Sequence, residues 1–220
     1  MTSAPHQPRI ILRSAVLPAG YSDGYLRRAL RSGAIVAVLP GAYLSSGDLP
    51  DLGLLEWHLA TATAALGRLG GDPVISHLSA AVLHGLQPAS SAQLPVHVTR
   101  RPPAKSRRSE RIVAHRAELT TEDVGAIAGL PVTTAARTAL DCAFLLPSPA
   151  AMALITAGFA AEQFTPEALL RQLARYQRVP GIRRVGEIVR DAGGPDGCDQ
   201  SPTVSNTVAG LAIGSADSQS

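Results

Sequence analysis

The sequence is 220 residues long and 45% hydrophobic, which is enough apolar material for a buried core and excludes a chain that is disordered throughout. Aromatic residues make up only 4%, so the core must consist mainly of Ala, Leu, Val and Ile, a composition that favours helices over a β-sandwich. The net charge is +3, and all but one of the 20 basic residues are arginine, which suits phosphate or carboxylate recognition.

Compartment and membrane association can also be inferred from composition. The two cysteines, Cys142 and Cys198, argue against a disulfide framework or a cysteine-based zinc site and favour a reducing environment. No apolar stretch reaches the roughly 18 residues of a membrane span, and the first ten residues lack the order of a secretory signal. We therefore expect a cytoplasmic protein without a membrane partner.

Basic residues are concentrated in three blocks along the chain. Residues 9–33 hold five arginines and one acid, residues 100–116 hold seven basic residues and one acid, and residues 171–190 hold six arginines and one acid. The segments between these blocks are acidic, so the small total charge hides strong local charge. We expect a polyanion such as nucleic acid to meet three separate basic surfaces.

The first basic block predicts two short helices in succession. The first covers residues 9–16 and is ended by the proline and glycine that follow it. Ser22 is then a good N-cap for a second helix over residues 23–32, and Gly33 follows at a position suited to a left-handed conformation.

A β-hairpin is predicted after the second helix, because the apolar residues 35–39 and 42–44 flank a Pro-Gly turn. In that helix Leu26, Ala29 and Leu30 are expected to share the buried stripe, which leaves the arginines on the outer face. Two helices followed by a hairpin is the order of a winged helix. The predicted DNA contacts on this unit are Tyr25, Arg27, Arg28 and Arg31.

The remainder of the chain predicts a mostly helical second part, so the expected fold class is α+β, mostly helical. Helices are predicted over residues 54–69, 76–83, 133–145, 149–161, 166–177 and 181–192, and a short extended piece over 73–75. Two strands, 95–99 and 112–115, are expected to form a hairpin with a long basic tip. That tip adds five predicted phosphate contacts: Arg100, Arg101, Lys105, Arg107 and Arg108.

These elements predict three units along the chain. Residues 1–50 form a winged helix-turn-helix, and residues 51–192 form an α-rich domain that contains the hairpin near 95–115. Residues 193–220 are rich in Gly, Ser and Asp without helical or strand periodicity, and they are predicted to be a disordered tail.

The sequence carries no motif for catalysis, and we expect no enzyme, no cofactor and no metal site. Phosphate-binding loops, dinucleotide fingerprints, nucleophile elbows and zinc-deaminase signatures are all missing. His77 and His84 lie two helical turns apart, too far to share one metal, and are expected to be hydrogen-bonded structural residues. Arg137 and Asp141 predict an i,i+4 ion pair, with a partner-recognition pair as the alternative.

Several segments resemble the AbiEi-type antitoxins of type IV toxin–antitoxin systems, in their actinobacterial form. The resemblance covers roughly residues 10–192. It is carried by residues 13–22, 26–33, 41–43, 76–86, 96–99 and 129–141, of which the last two are the most specific.

The resemblance implies a winged helix that binds operator DNA and represses its own operon, and a second domain that neutralises a nucleotidyltransferase-like toxin. Many relatives continue into a domain similar to very-short-patch-repair nucleases, entered near a Ser-Pro-x-x-Ser segment. Residues 201–205 fit that entry but the residues after them do not resemble the domain, so we expect truncation or a frame change. The alternatives are a protein-interaction module without DNA affinity and a remnant of a nuclease-like protein.

Overall fold

The structure is a computed structural model that describes residues 9–51, 53–86, 95–176 and 179–194. Its fold class is α+β and mostly helical, as predicted. The helices are α1 (Arg13–Val16), α2 (Asp23–Arg31), α3 (Leu54–Leu69), α4 (His77–Leu83), α5 (Ala135–Leu145), α6 (Ser148–Ala160), α7 (Pro166–Leu173) and α8 (Ile182–Ala192). The strands are β1 (Ile10–Leu12), β2 (Ile35–Leu39), β3 (Ala42–Ser45), β4 (Val74–Ile75), β5 (Val96–Arg100), β6 (Arg107–Arg108), β7 (Ile112–Arg116), β8 (Val124–Ile127) and β9 (Leu130–Thr133).

The first part of the chain is a three-stranded antiparallel sheet with two helices. The sheet order is β1-β3-β2, and the predicted hairpin after α2 is present as β2 and β3. The prediction of a helix over residues 9–16 is wrong in its first half, where Ile10 pairs with Leu44 and Leu12 pairs with Ala42. These apolar residues bury more surface as the third strand of a sheet than an isolated short helix would allow.

Helix α2 has the predicted N-cap but a narrower buried face than expected. The Ser22 hydroxyl accepts a hydrogen bond from the amide of Tyr25, and Leu26 is buried. Leu30, in contrast, has 36% of its surface exposed, so its assignment to the buried stripe is wrong. Helix α2 packs against β2, and of its residues only Leu26 is buried, so one side of a short helix supplies the contact with the sheet.

The second part contains a six-stranded mixed sheet of order β6-β7-β5-β4-β9-β8. The two strands predicted at 95–99 and 112–115 exist as β5 and β7, but the predicted hairpin between them is wrong. They are parallel neighbours, with Val96 opposite Ile112, and the antiparallel partner of β7 is β6, with Arg107 opposite Ala114. The apolar alternation of a strand is the same in both directions, so it could not distinguish the two arrangements.

The remaining predicted helices are present with small shifts at their ends. The helix over 54–69 is found with the predicted bounds, and the one predicted to end at residue 177 ends at Leu173. Ser76 precedes α4 as predicted, but its hydroxyl bonds to Thr99 instead of capping the helix. Except for residues 193 and 194, the predicted tail lies outside the described residues.

Two hydrophobic clusters form most of the described core. One lies among α4, α5, α6, α7 and α8. The other joins the two parts of the chain, because Leu39 and Ala42 of the first hairpin pack in the same cluster as Val96, Val98 and Ala114 of the larger sheet. None of the described helices is both long and apolar enough to cross a bilayer.

Candidate nucleic-acid interface

Helix α2 is fixed in place at its N-terminal end. Arg13 donates two hydrogen bonds to the Asp23 carboxylate, from Nε to Oδ1 at 2.8 Å and from Nη2 to Oδ2 at 2.7 Å. This bond with Arg13 holds the pKa of Asp23 below its usual value, so the carboxylate stays charged beside the positive end of the helix. Arg13 therefore orients α1 against α2, and its charge is already neutralised within the protein.

The outer face of α2 carries the residues predicted to contact DNA. Tyr25, Arg27, Arg28 and Arg31 are all exposed. The rings of Tyr21 and Tyr25 lie 5.0 Å apart, centroid to centroid, and each tyrosine is 48% exposed. Tyr21 was not predicted as a contact, although its i,i+4 spacing from Tyr25 could have suggested it.

A depression of about 550 Å³ runs beside the second half of α2. It is lined by Tyr25, Arg28, Ala29, Arg31, Ser32 and Ala34. Two guanidinium groups and a phenol therefore border one concave surface that has no acidic residue in its lining. Guanidinium groups donate bidentate hydrogen bonds to phosphates and to the guanine edge, so the surface is chemically suited to nucleic acid.

The second basic block extends from the end of β5 through the following loop and β6 into β7. Arg100 and Arg101 line a pocket of about 370 Å³ that also contains Asp72, and Arg101 donates from Nε to the carbonyl of Leu119. Arg107 and Arg108 lie on β6, the edge strand of the larger sheet, and both are exposed, as is Lys105. Arg100 and Arg101 thus border a pocket, and the other three predicted residues are exposed on β6 or in the loop before it.

Arginines of the third basic block that bond within the protein are Arg175, Arg183 and Arg184, while Arg171 and Arg190 are exposed. Arg184 donates to the carbonyls of Ala143 and Leu146 at the end of α5, where the helix leaves carbonyl groups unpaired. Arg175 bonds to Asp123, and Arg183 faces Glu187 at 3.5 Å on the same helix. Arg175 and Arg184 therefore hold parts of the fold together, whereas the pair of Arg183 with Glu187 is exposed.

An ion network around the buried Asp123 holds α5 and the segment after α7 to the turn before β8. Asp123 accepts hydrogen bonds from the Thr120 amide and from the Arg137 and Arg175 guanidiniums. Burial alone would raise the pKa of Asp123, but the Thr120 bonds and the two arginine charges outweigh it and lower that pKa.

The predicted pair of Arg137 and Asp141 belongs to this network, with Nε 3.1 Å from Oδ1. Both side chains are almost fully buried, at 7% and 6% exposed. A buried pair offers no surface to a partner, so the partner-recognition alternative for these two residues is not supported.

Three histidines form a second polar cluster, in which His97 is buried and His77 and His115 are half-buried. The rings of His77 and His115 stack with centroids 3.6 Å apart, and His97 Nδ1 lies 3.0 Å from His115 Nε2. Burial lowers the pKa of all three, that of His97 to about 4. Within the described ranges, no group of three or more His, Cys, Asp or Glu residues could hold a metal ion.

The prediction that His77 and His84 are hydrogen-bonded is confirmed. His77 Nδ1 lies 2.9 Å from the Ser76 hydroxyl, and His84 Nε2 lies 2.7 Å from the Thr133 carbonyl. The meeting of His77 with His97 and His115 was not predicted, because it depends on the pairing of β5 with β7.

Comparison with known proteins bears on the second part of the chain. A family model described as the AbiEi antitoxin C-terminal domain matches residues 74–191, which run from β4 into α8 and include more than half of the chain. No curated protein matches the chain. The family model covers the larger sheet, the ion network around Asp123 and the histidine cluster, and the chain therefore belongs to the AbiEi antitoxin family.

Proposed function

We propose that this antitoxin is a non-enzymatic DNA-binding regulator that represses its own operon and neutralises a nucleotidyltransferase-like toxin in the cytoplasm. The observation that carries the DNA-binding part is the exposed face of α2. Tyr25, Arg27, Arg28 and Arg31 are exposed on this helix, whereas Leu26 is buried. Family membership supports the antitoxin part.

In this proposal α2 is the recognition helix of a winged helix-turn-helix. The major groove of B-DNA is about 12 Å wide and admits one helix, so the exposed face can reach base edges. Arg28 and Arg31, which border the depression beside α2, would read guanine edges. Arg27 and Tyr25 would contact the sugar-phosphate backbone on either side.

The second basic block would add contacts that do not depend on sequence. Arg107, Arg108 and Lys105 are exposed and face no acidic partner among the described ion pairs. Neutralising phosphates with such residues releases counterions, so the proposal requires an affinity that falls steeply with salt.

The toxin-neutralising role is assigned to the second part, because the family model matches there. The test is co-expression of the full chain with a nucleotidyltransferase encoded beside its gene, with growth and co-purification as the two readouts. Rescue of growth is expected. Continued growth arrest with both proteins present would reject this part of the proposal.

The DNA-binding part is tested with a duplex taken from immediately upstream of the gene and a shuffled duplex of the same composition. We expect tighter binding to the upstream duplex and a slope of log K against log salt of about 0.9 for each neutralised phosphate. Arg183→Ala removes an exposed arginine of α8 and is the matched control that should not alter either affinity. Affinity that is undetectable at low salt, or insensitive to salt, would reject DNA binding and favour a protein-interaction module.

A further inference from the structure

The hairpin beside the proposed recognition helix carries no charge. From Ile35 to Leu44 the sequence has no basic or acidic residue, although β2 contacts α2 and the hairpin is the element next to it. A phosphate backbone is held by cationic and hydrogen-bonding side chains. The β2–β3 hairpin therefore offers a DNA backbone little besides its main-chain amides.

Strand β2 is instead the place where the larger sheet attaches. Its register against β3 shifts between Ala37 and Leu39, which makes Val38 the extra residue of a β-bulge. The carbonyl oxygen of Val38 accepts a hydrogen bond of 2.9 Å from Nη1 of Arg111. Arg111, which lies 73 residues further along the chain, thus satisfies the main-chain carbonyl at the bulge of the uncharged hairpin.

Arg111 belongs to the turn of a second hairpin that is strongly basic. Strands β6 and β7 are antiparallel, and the turn between them is tight, with the Ser109 amide donating to the Ile112 carbonyl at 2.8 Å. The carbonyl of Arg111 accepts from the Val96 amide, which ties the turn to β5. Arg107 and Arg108 are exposed on the outer strand of this hairpin.

The two hairpins are also joined by apolar packing. Leu39 and Ala42 of the uncharged hairpin lie in one buried cluster with Val98 and Ala114, which are on β5 and β7. The hydrogen bond from Arg111 to Val38 therefore joins two hairpins that are already in contact through buried apolar side chains.

We propose that the β6–β7 hairpin supplies the phosphate contacts beside α2 that the β2–β3 hairpin cannot make, and that Arg111 is the residue that positions it. Arg107 and Arg108 would hold the backbone, while Arg111 would fix their distance from the recognition helix. This inference rests on the proposed DNA binding and adds to it that residues from the family-matched second part complete the DNA-binding surface.

The experiment measures the salt slope of duplex binding by the full chain, with the upstream duplex and the shuffled duplex as probes. Arg107→Gln with Arg108→Gln should lower the slope by about 1.8, which corresponds to two phosphates. In an Arg111→Met background the same pair of changes should lower the salt slope by less than about 0.9. The reason is that the β6–β7 hairpin is then displaced and no longer reaches the DNA phosphates. Arg171→Gln with Arg183→Gln removes two exposed charges from α7 and α8 and should leave the slope unchanged.

Two results would overturn the inference while DNA binding itself stands. One is an unchanged slope after Arg107 and Arg108 are neutralised, and the other is an equal loss with and without Arg111. Absence of duplex binding by the unmodified chain would reject the proposed function instead. Circular dichroism and the thermal midpoint show whether each variant is folded. If Arg111→Met does not fold, it is replaced by Arg111→Gln, whose side chain is too short to reach Val38.

Discussion

Arg137 lies against Asp123 with its Nη1 atom 3.3 Å from Oδ2, and both side chains are buried, at 7% and 1% exposed. The two residues come from α5 and from the 3-10 turn before β8. The same guanidinium bonds to Asp141 through Nε and lies over the ring of Tyr176. One arginine thus connects the helical layer to the end of the larger sheet.

Replacing this arginine should destabilise the protein strongly. Arg137→Met keeps an apolar stem but leaves the buried Asp141 carboxylate without a counter-charge and Asp123 with only the half-exposed Arg175. We expect a loss of about 3–5 kcal/mol in the free energy of unfolding. Arg183→Met is the matched control, because the ion pair of Arg183 with Glu187 is exposed and should be worth less than about 1 kcal/mol. Urea denaturation measures both changes. Similar losses in the two variants would contradict the structural role of Arg137.

The histidine cluster predicts a loss of stability on acidification. In the unfolded chain a histidine binds a proton near pH 6.5, whereas burial lowers the pKa of His97 to about 4 and also lowers those of His77 and His115. The unfolded state therefore binds more protons than the folded state between these values, and the free energy of unfolding should fall as the pH decreases from about 6.5 to about 4.

His97→Asn tests this source of the pH dependence. Between pH 6.5 and 4 the free energy of unfolding should fall by about 1–3 kcal/mol less in the variant than in the unmodified chain. Each protein is compared with its own free energy of unfolding at pH 8. Chemical denaturation across this pH range is the measurement. Parallel stability curves for the two proteins would show that His97 does not contribute.

Gly158 on α6 should not tolerate a side chain. A Cβ atom at this position would lie 2.1 Å from Cζ of Phe164, whose ring is buried against the helix. Gly158→Ala would gain about 1 kcal/mol of helix propensity, but displacement of the ring should produce a net loss of roughly 1–3 kcal/mol. Gly186→Ala is the control, because its Cβ would meet only the ends of two side chains at 3.3 and 3.5 Å. A higher thermal midpoint for Gly158→Ala would contradict this packing.

The two basic surfaces should affect DNA binding differently. Arg28→Ala with Arg31→Ala should reduce the preference for the upstream duplex over the shuffled one, since each good base contact is worth about 1–3 kcal/mol. Arg107→Ala with Arg108→Ala should weaken both duplexes by the same factor, because phosphate contacts carry no sequence information. Fluorescence anisotropy titrations with both duplexes give the comparison. Equal losses of preference from the two pairs would mean that α2 does not specify sequence.

Local signals in the sequence were sufficient for much of the secondary structure. The helix over 54–69 has a glycine at each end and is rich in leucine and alanine, and its predicted bounds are confirmed. Ser22 was recognised as an N-cap because its role depends only on the following three residues. The exposure of the arginines on α2 is likewise predicted from residues within that helix alone, by their spacing from Leu26.

Features that depend on long-range pairing were not predictable in this way. The parallel pairing of β5 with β7 brings His97 beside His115, and no pattern within either strand reveals the direction of its neighbour. Arg111 and Val38 meet only because the two hairpins share a buried cluster. Among the arginines, the sequence could not separate those that bond within the fold, such as Arg184, from those left exposed.

The order of the strands in the larger sheet has a consequence for synthesis on the ribosome. Strand β4 is central, paired with β5 through Val74 and Ile75 and with β9 through Val132, yet it is made well before β9. Until β9 has emerged from the ribosome, one edge of β4 has unpaired backbone amides and carbonyls. Such an edge can form hydrogen bonds with strands of other chains, which leads to aggregation. A nascent chain released before Thr133 is therefore expected to aggregate or be degraded instead of acting as a smaller antitoxin.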